Sequence, residues 1–313
     1  MKMTMLLAVL WLVSQDTATL KPLSDMAASD KYKGEDGGLY GAGQNEPPKE
    51  HRAAALKEIE KIVPLDADGK PAKDGKIVLV SIGMSNTTQE FSRFKQAADR
   101  DPDKSASVVI VDGAQGGQAA AQWAGKDKRP WAELEKRLQN AGVSPAQVQA
   151  AWVKQAEIQQ GNLGEFPAHA KKFKDNLQII VQILKEKFPN LRVVYLSSRI
   201  YAGYATTRLN PEPYAYEGAF SVRWLIQDQI KGSAELNFDA SKGAVKSALL
   251  LWGPYLWANG TTPRKDDQLV YERKDLSDKD GTHPSDSGRQ KVAELLLKFF
   301  KSNDLAKPWF TRR

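Results

Sequence analysis

From Ile77 onward, short apolar runs rich in β-branched residues alternate with longer segments of helical period, and a chain patterned this way has few folds open to it. The predicted strands are Ile77 to Ile82, Ser107 to Asp112, Val148 to Lys154, Arg192 to Ser197 and Ala248 to Trp252. A helix is expected to begin behind Ser85, and others at Trp131 to Asn140, Ala168 to Lys187, Tyr216 to Lys231 and Ser285 to Lys301. Strands that alternate with helices and are apolar on both faces imply a parallel sheet covered on each side. The expected fold is therefore α/β, a three-layer α/β/α sandwich of flavodoxin-like type around five parallel strands. Functional residues are expected at the carboxyl ends of those strands.

Three short motifs fall there. Gly83-Met84-Ser85-Asn86 follows the first strand, Gly116-Gly117-Gln118-Ala119 follows the second, and Asp280-Gly281-Thr282-His283 precedes the last helix. A serine hydroxyl needs a base to become a nucleophile, and the chain offers three histidines, His51, His169 and His283. His283 is the best placed: it stands before Pro284 and a helix start, and Asp280 is near enough in a tight loop to orient its ring. Ser85, His283 and Asp280 thus form a candidate triad. The backbone amides of Ser85 and Gly117 and the side-chain amide of Gln155, after the third strand, are candidate oxyanion donors. His169 reads as a surface or capping residue, and Glu217 as an acid that favours a helix start. Arg199, Tyr201 and Tyr204 follow the fourth strand, and Trp252, Tyr255 and Trp257 the fifth. Arg199, Tyr201 and Trp257, with Asn86, are the expected substrate contacts, with core packing or a structural salt bridge the equal alternative for the arginine and the aromatic residues.

These motifs resemble those of the SGNH hydrolases, in particular the carbohydrate acetylesterases related to sialate O-acetylesterase. Gly83-Met84-Ser85-Asn86 is similar to the family's Gly-Gln-Ser-Asn block, and Gly116 to Ala119 with Gln122-Trp123 to its glycine block. Trp152-Val153-Lys154-Gln155-Ala156-Glu157 resembles Trp-x-x-Gln-Gly-Glu, and Asp280 to His283 the final Asp-x-x-His block. The resemblance spans roughly Lys76 to Ser302. It implies Ser85 as nucleophile, His283 as base and acid, Asp280 as orienting acid, and Ser85, Gly117 and Gln155 as oxyanion donors. It also implies a serine esterase acting on carbohydrate O-acetyl groups and needing neither metal nor organic cofactor. Met84 and Ala156 depart from the family pattern. A carbohydrate-binding protein without turnover and a lipase or thioesterase on the same fold are the alternatives.

Composition bounds the rest. The net charge of +7 is spread along the chain and interleaved with acids, which argues for a solvated surface, and no nucleic-acid motif accompanies it. With no cysteine, disulfides and thiolate chemistry are excluded. Lys2, the apolar stretch Met3 to Val13 and the polar residues after it have the build of a secretory leader over 1–18 that is too short to span a membrane. This implies a secreted or periplasmic enzyme without stable membrane insertion. Residues 19–75 read as an irregular extension with turn clusters at Gly34 to Tyr40 and Asn45 to Pro48. One helix is expected there, His51 to Ile62, and any disorder is expected in this extension. Residues 76–313 form the hydrolase-like domain. Asp66-Ala67-Asp68-Gly69 suggests calcium but lacks the later ligands of an EF-hand loop.

Overall fold

The computed structural model describes residues 20–312, so the expected leader at 1–18 lies outside the described residues. Five strands, β1 (Ile77–Gly83), β2 (Val108–Val111), β3 (Val148–Lys154), β4 (Val193–Ser197) and β5 (Leu249–Trp252), form one sheet in the order β2-β1-β3-β4-β5, every neighbouring pair parallel. All residues of β1, β3, β4 and β5 are buried, as their largely apolar runs require of a sheet covered on both faces.

The helices are α1 (Lys49–Glu60), α2 (Ser85–Arg100), α3 (Ala120–Trp123), α4 (Arg129–Asn140), α5 (Ala168–Lys187), α6 (Tyr214–Ile230), α7 (Asp286–Ser302) and α8 (Lys307–Phe310). α2 packs on α7, and α8 lies against α7 and α1, which makes one layer; α3 packs on α4 and α5, and α5 on α6, which makes the other. The chain leaves β1 towards β2 and then crosses back to β3, so the switch point lies between β1 and β3. Ligands of open α/β sheets bind in the crevice at such a point. The register sets Gly83 opposite Lys154, so Ser85 and Gln155 emerge side by side on the carboxyl edge.

The expected disorder of the extension is not found in the described part. Leu23, Met26, Ala55, Ile59 and Ile62 are buried in the same core as the sheet. The Asp66 loop also has a local explanation: its carboxylate oxygen Oδ1 accepts the amides of Asp68 and Lys70, a self-capped turn.

One task of the extension is to help α6 cover the β5 edge of the sheet. An unpaired edge strand leaves a row of backbone groups exposed to pairing with other chains. On β5, Gln229 accepts from the Leu250 amide at 2.7 Å and donates to the carbonyl of Ala248 at 3.0 Å. His51 donates from Nε2 to the Leu250 carbonyl at 2.8 Å, and the Tyr40 hydroxyl accepts from the Trp252 amide at 3.4 Å. Burial holds His51 below its ordinary pKa, against the opposing pull of the Leu250 carbonyl. A base whose folded pKa is depressed binds fewer protons folded than unfolded, so acid favours unfolding. Stability should therefore fall as the pH drops below about 6.5. His51→Gln keeps a donor that does not titrate, so denaturant midpoints between pH 8 and 5 should show a shallower slope for the variant; equal slopes would clear His51 of this role.

Candidate active site

Ser85 is the first residue of α2, where a helix's leading amides have no carbonyl one turn earlier to bond. The positive end of the helix dipole therefore lies at Ser85. Its hydroxyl lies 2.7 Å from Nε2 of His283, whose Nδ1 lies 2.6 Å from Oδ2 of Asp280. The structure therefore brings the three sequence-predicted residues into one hydrogen-bonded line. Asp280 uses its other oxygen, Oδ1, to accept the amides of Thr282 at 2.9 Å and His283 at 3.0 Å, which closes the loop on itself. Burial alone would raise the Asp280 carboxyl, but those amides and the His283 ring outweigh it and hold it below the usual range. An ionised Asp280 accepts only, so His283 donates Nδ1–H to it and presents Nε2 as the acceptor for the serine proton.

The Asp280 loop leans on the loop after β4. Thr206 donates to the Asp280 carbonyl at 2.9 Å. Gly281, at φ +60°, has no room for a side chain, since a Cβ there would stand 1.8 Å from the Tyr204 carbonyl oxygen.

The glycine motif packs beside the nucleophile: a Cβ on Gly116 would fall 3.9 Å from that of Ser85, and Gly117 holds φ +74° in the turn. Gln155 is 1% exposed and donates one amide hydrogen to the Gln118 carbonyl at 3.3 Å, while the Ala120 amide donates to the Ala156 carbonyl at 3.0 Å. The third and second loops are thereby tied together. Met84 and Ala156 form with Ala119 a small apolar cluster apart from the main core. Each belongs to one of the three candidate oxyanion loops, so the three loops meet at this cluster.

The proposed substrate contacts fare differently. Trp257 is fully buried and donates its indole N–H to Glu212 at 2.8 Å, so it offers a sugar no face to stack on. Asn86 is 2% exposed and accepts from the Thr87 amide at 2.9 Å. Tyr201 is buried against Tyr204 and Trp257. Arg199 is 3% exposed and so presents no open face to a substrate. His169 is not a surface residue: it is 2% exposed and bonds Glu217 at 2.7 Å, and Glu217 also accepts from Tyr32 at 2.6 Å and Lys33 at 2.9 Å. That cluster fastens the extension to α5 and α6, and Glu217 serves it rather than the helix dipole alone.

Sequence reasoning missed two polar centres. Asp112, at the end of β2, accepts from Ser81 at 2.6 Å, Ser92 at 2.8 Å and Thr88, pinning α2 to the sheet. Lys154 and Glu90 form an ion pair with both side chains at 0% exposure, directly under the start of α2. Burial pushes the Lys154 ammonium down to about 8, partly offset by Glu90 and assisted by the charge of Arg199. A cavity of about 540 Å³ runs along the β5 edge by Tyr40, Trp252 and Asp304, and no triad residue lines it.

No protein-family model matches the chain, and no curated protein does. Solved structures similar to it include a GDSL-like lipase from Bacteroides thetaiotaomicron VPI-5482, at 12% identity over 79% of this chain and 95% of that one, with a TM-score of 0.40. An extracellular lipase from Streptomyces rimosus is similar at 11% identity over 72% of this chain and 100% of that one, TM-score 0.35. A salicylyl-acyltransferase from a tetracycline biosynthetic pathway is similar at 12% identity over 76% and 58%, TM-score 0.34. Likeness at this level assigns neither a family nor a substrate.

Proposed function

We propose that the chain is a serine esterase that works through an acyl-enzyme and removes short acyl groups, with O-acetyl groups on carbohydrate as the substrate class. The observation that carries the reading is the continuous line from Ser85 Oγ to His283 Nε2 and from His283 Nδ1 to Asp280. Ser85 attacks the ester carbonyl as His283 takes its proton. The resulting oxyanion accepts from the amides of Ser85 and Gly117 and from the second amide hydrogen of Gln155. His283 then protonates the departing alcohol, and water, activated by the same ring, hydrolyses the acyl-Ser85 ester to release the acid. Every step is proton transfer and acyl transfer among these groups. The choice of a short acyl group rests on the likeness of the motifs around Ser85, Gly117 and Gln155 to those of carbohydrate acetylesterases. Support for a bulky alcohol side comes from the partly exposed triad, with 26% of the His283 side chain and 19% of Asp280 open to solvent. Action outside the cytoplasm is proposed on the leader-like pattern of residues 2–18 alone.

The test is hydrolysis of 4-nitrophenyl acetate and of acetylated xylan by the purified protein beside Ser85→Ala. Release of acetate that disappears in the variant establishes the esterase, and turnover of xylan acetate at or above that of the aryl ester establishes the carbohydrate substrate. Equal, background-level release by both proteins would overturn the reading.

A further inference from the structure

Arg199 is a buried guanidinium that pairs with no carboxylate at ion-pair distance among the described residues. Its Nη2 lies 3.5 Å from the Thr282 carbonyl and its Nη1 4.0 Å from the Met84 sulfur, while Nε has no partner. Those two contacts are long and weak singly, but each is to the residue immediately before a reacting one: Thr282 before His283 and Met84 before Ser85. Burial pulls the guanidinium down to about 10, and the charges of Glu90, Glu212 and Asp280 oppose it from longer range. A charge kept out of water with so little direct pairing is costly, and an apolar side chain of similar volume would ordinarily be no worse for stability.

Arg199 also lines a chamber of about 10 Å³, together with Gln155, Gln160 and Asn210, with room for one water-sized group. Oε1 of Gln160 and both polar atoms of the Asn210 side chain are buried and unpartnered as well. One donor from arginine and acceptors from two amides suit a water molecule, which accepts from the first and donates one hydrogen to each of the others.

We propose that Arg199 is a positioning residue for the triad. It holds the Ser85 loop and the His283 loop in register, and it reaches the Gln155 loop through a single water molecule shared with Gln160 and Asn210. The inference rests on the serine esterase reading. Displacing reacting groups by about 1 Å costs on the order of 100-fold in rate, which sets the scale. Arg199→Met should lower kcat on 4-nitrophenyl acetate by about 30- to 100-fold with KM within about twofold. Arg199→Lys keeps the charge but reaches only one of the two loops, and should recover part of that loss. A merely structural arginine would give the opposite split, a lower Tm with kcat per folded molecule unchanged. Should Arg199→Met fail to fold, Arg199→Lys carries the test, and its unchanged kcat would overturn the proposal. A crystal structure of the wild type should show a solvent oxygen within hydrogen-bond distance of Arg199 Nε; clear density without one overturns the water-mediated link. A wild type that hydrolyses nothing would remove the esterase reading and this inference together, whereas an active wild type with an equally active Arg199→Met removes only the inference.

Discussion

Asp280→Asn should lower kcat by about 1,000- to 10,000-fold while leaving the protein folded, the scale set by the equivalent change in a serine protease triad. The reason lies in the two oxygens of Asp280. Oδ1 is committed to the amides of Thr282 and His283, at 2.9 and 3.0 Å, and Oδ2 to His283 Nδ1 at 2.6 Å. An asparagine that keeps the loop bonded must leave its oxygen on those two amides and turn its NH₂ to the ring. Nδ1 is then forced to accept, the ring proton moves to Nε2, and the atom facing Ser85 can no longer take a proton. The opposite flip would restore the ring but set NH₂ against two amide donors, losing two hydrogen bonds at about 1 kcal/mol each. The loop bonds therefore select the inactive tautomer. KM within about threefold of wild type, a Tm within a few degrees and the loss in kcat are the expected signature. An Asp280→Asn protein that retained a tenth or more of wild-type kcat would show that the carboxylate does not orient the ring.

The fold and the triad were legible in the sequence for the same reason: both are written in short local patterns. The β3 run Val148–Lys154 and the α5 segment Ala168–Lys187 are observed as predicted, because a parallel strand covered on both faces is mostly apolar and a long helix keeps its period. Asp280 and His283 fall in one loop, so their spacing could be read directly. Contacts across the chain could not be. His51 caps a strand 199 positions later, and Tyr32 meets Glu217 across 185, so the extension read as irregular although it helps cover the sheet edge and completes the core. Trp257 and Arg199 stand after strand ends, where side chains point either into a cleft or under it; position on the strand does not distinguish the two. The pairing of Lys154 is not legible either, since a charged residue carries no sign of its partner until the fold brings Glu90 against it.

That pair makes the largest effect on stability expected here. Lys154 lies in β3, fully buried like its partner on the second turn of α2, and one oxygen of Glu90 has no hydrogen bond even with the lysine present. Lys154→Met should destabilise the protein by about 3–5 kcal/mol, the usual cost of leaving one member of a buried pair charged and alone. Most of that cost is the abandoned carboxylate, not the lost attraction, because the pair itself pays heavily for leaving water. Removing both charges should then recover most of the loss: Glu90→Leu with Lys154→Met is expected within about 1–2 kcal/mol of wild type, since apolar replacements of similar volume are often neutral. Arg199 moderates the recovery, because Glu90 is one of the carboxylates that offset its charge and Glu212 and Asp280 would be left to do so. Denaturant unfolding of the four proteins in the cycle measures the coupling directly. Additive single effects, or a Lys154→Met change below about 1 kcal/mol, would mean that Glu90 takes up a proton in the variant instead of bearing an unpaired charge, and an unfolding free energy that varies steeply with pH in Lys154→Met would identify that proton.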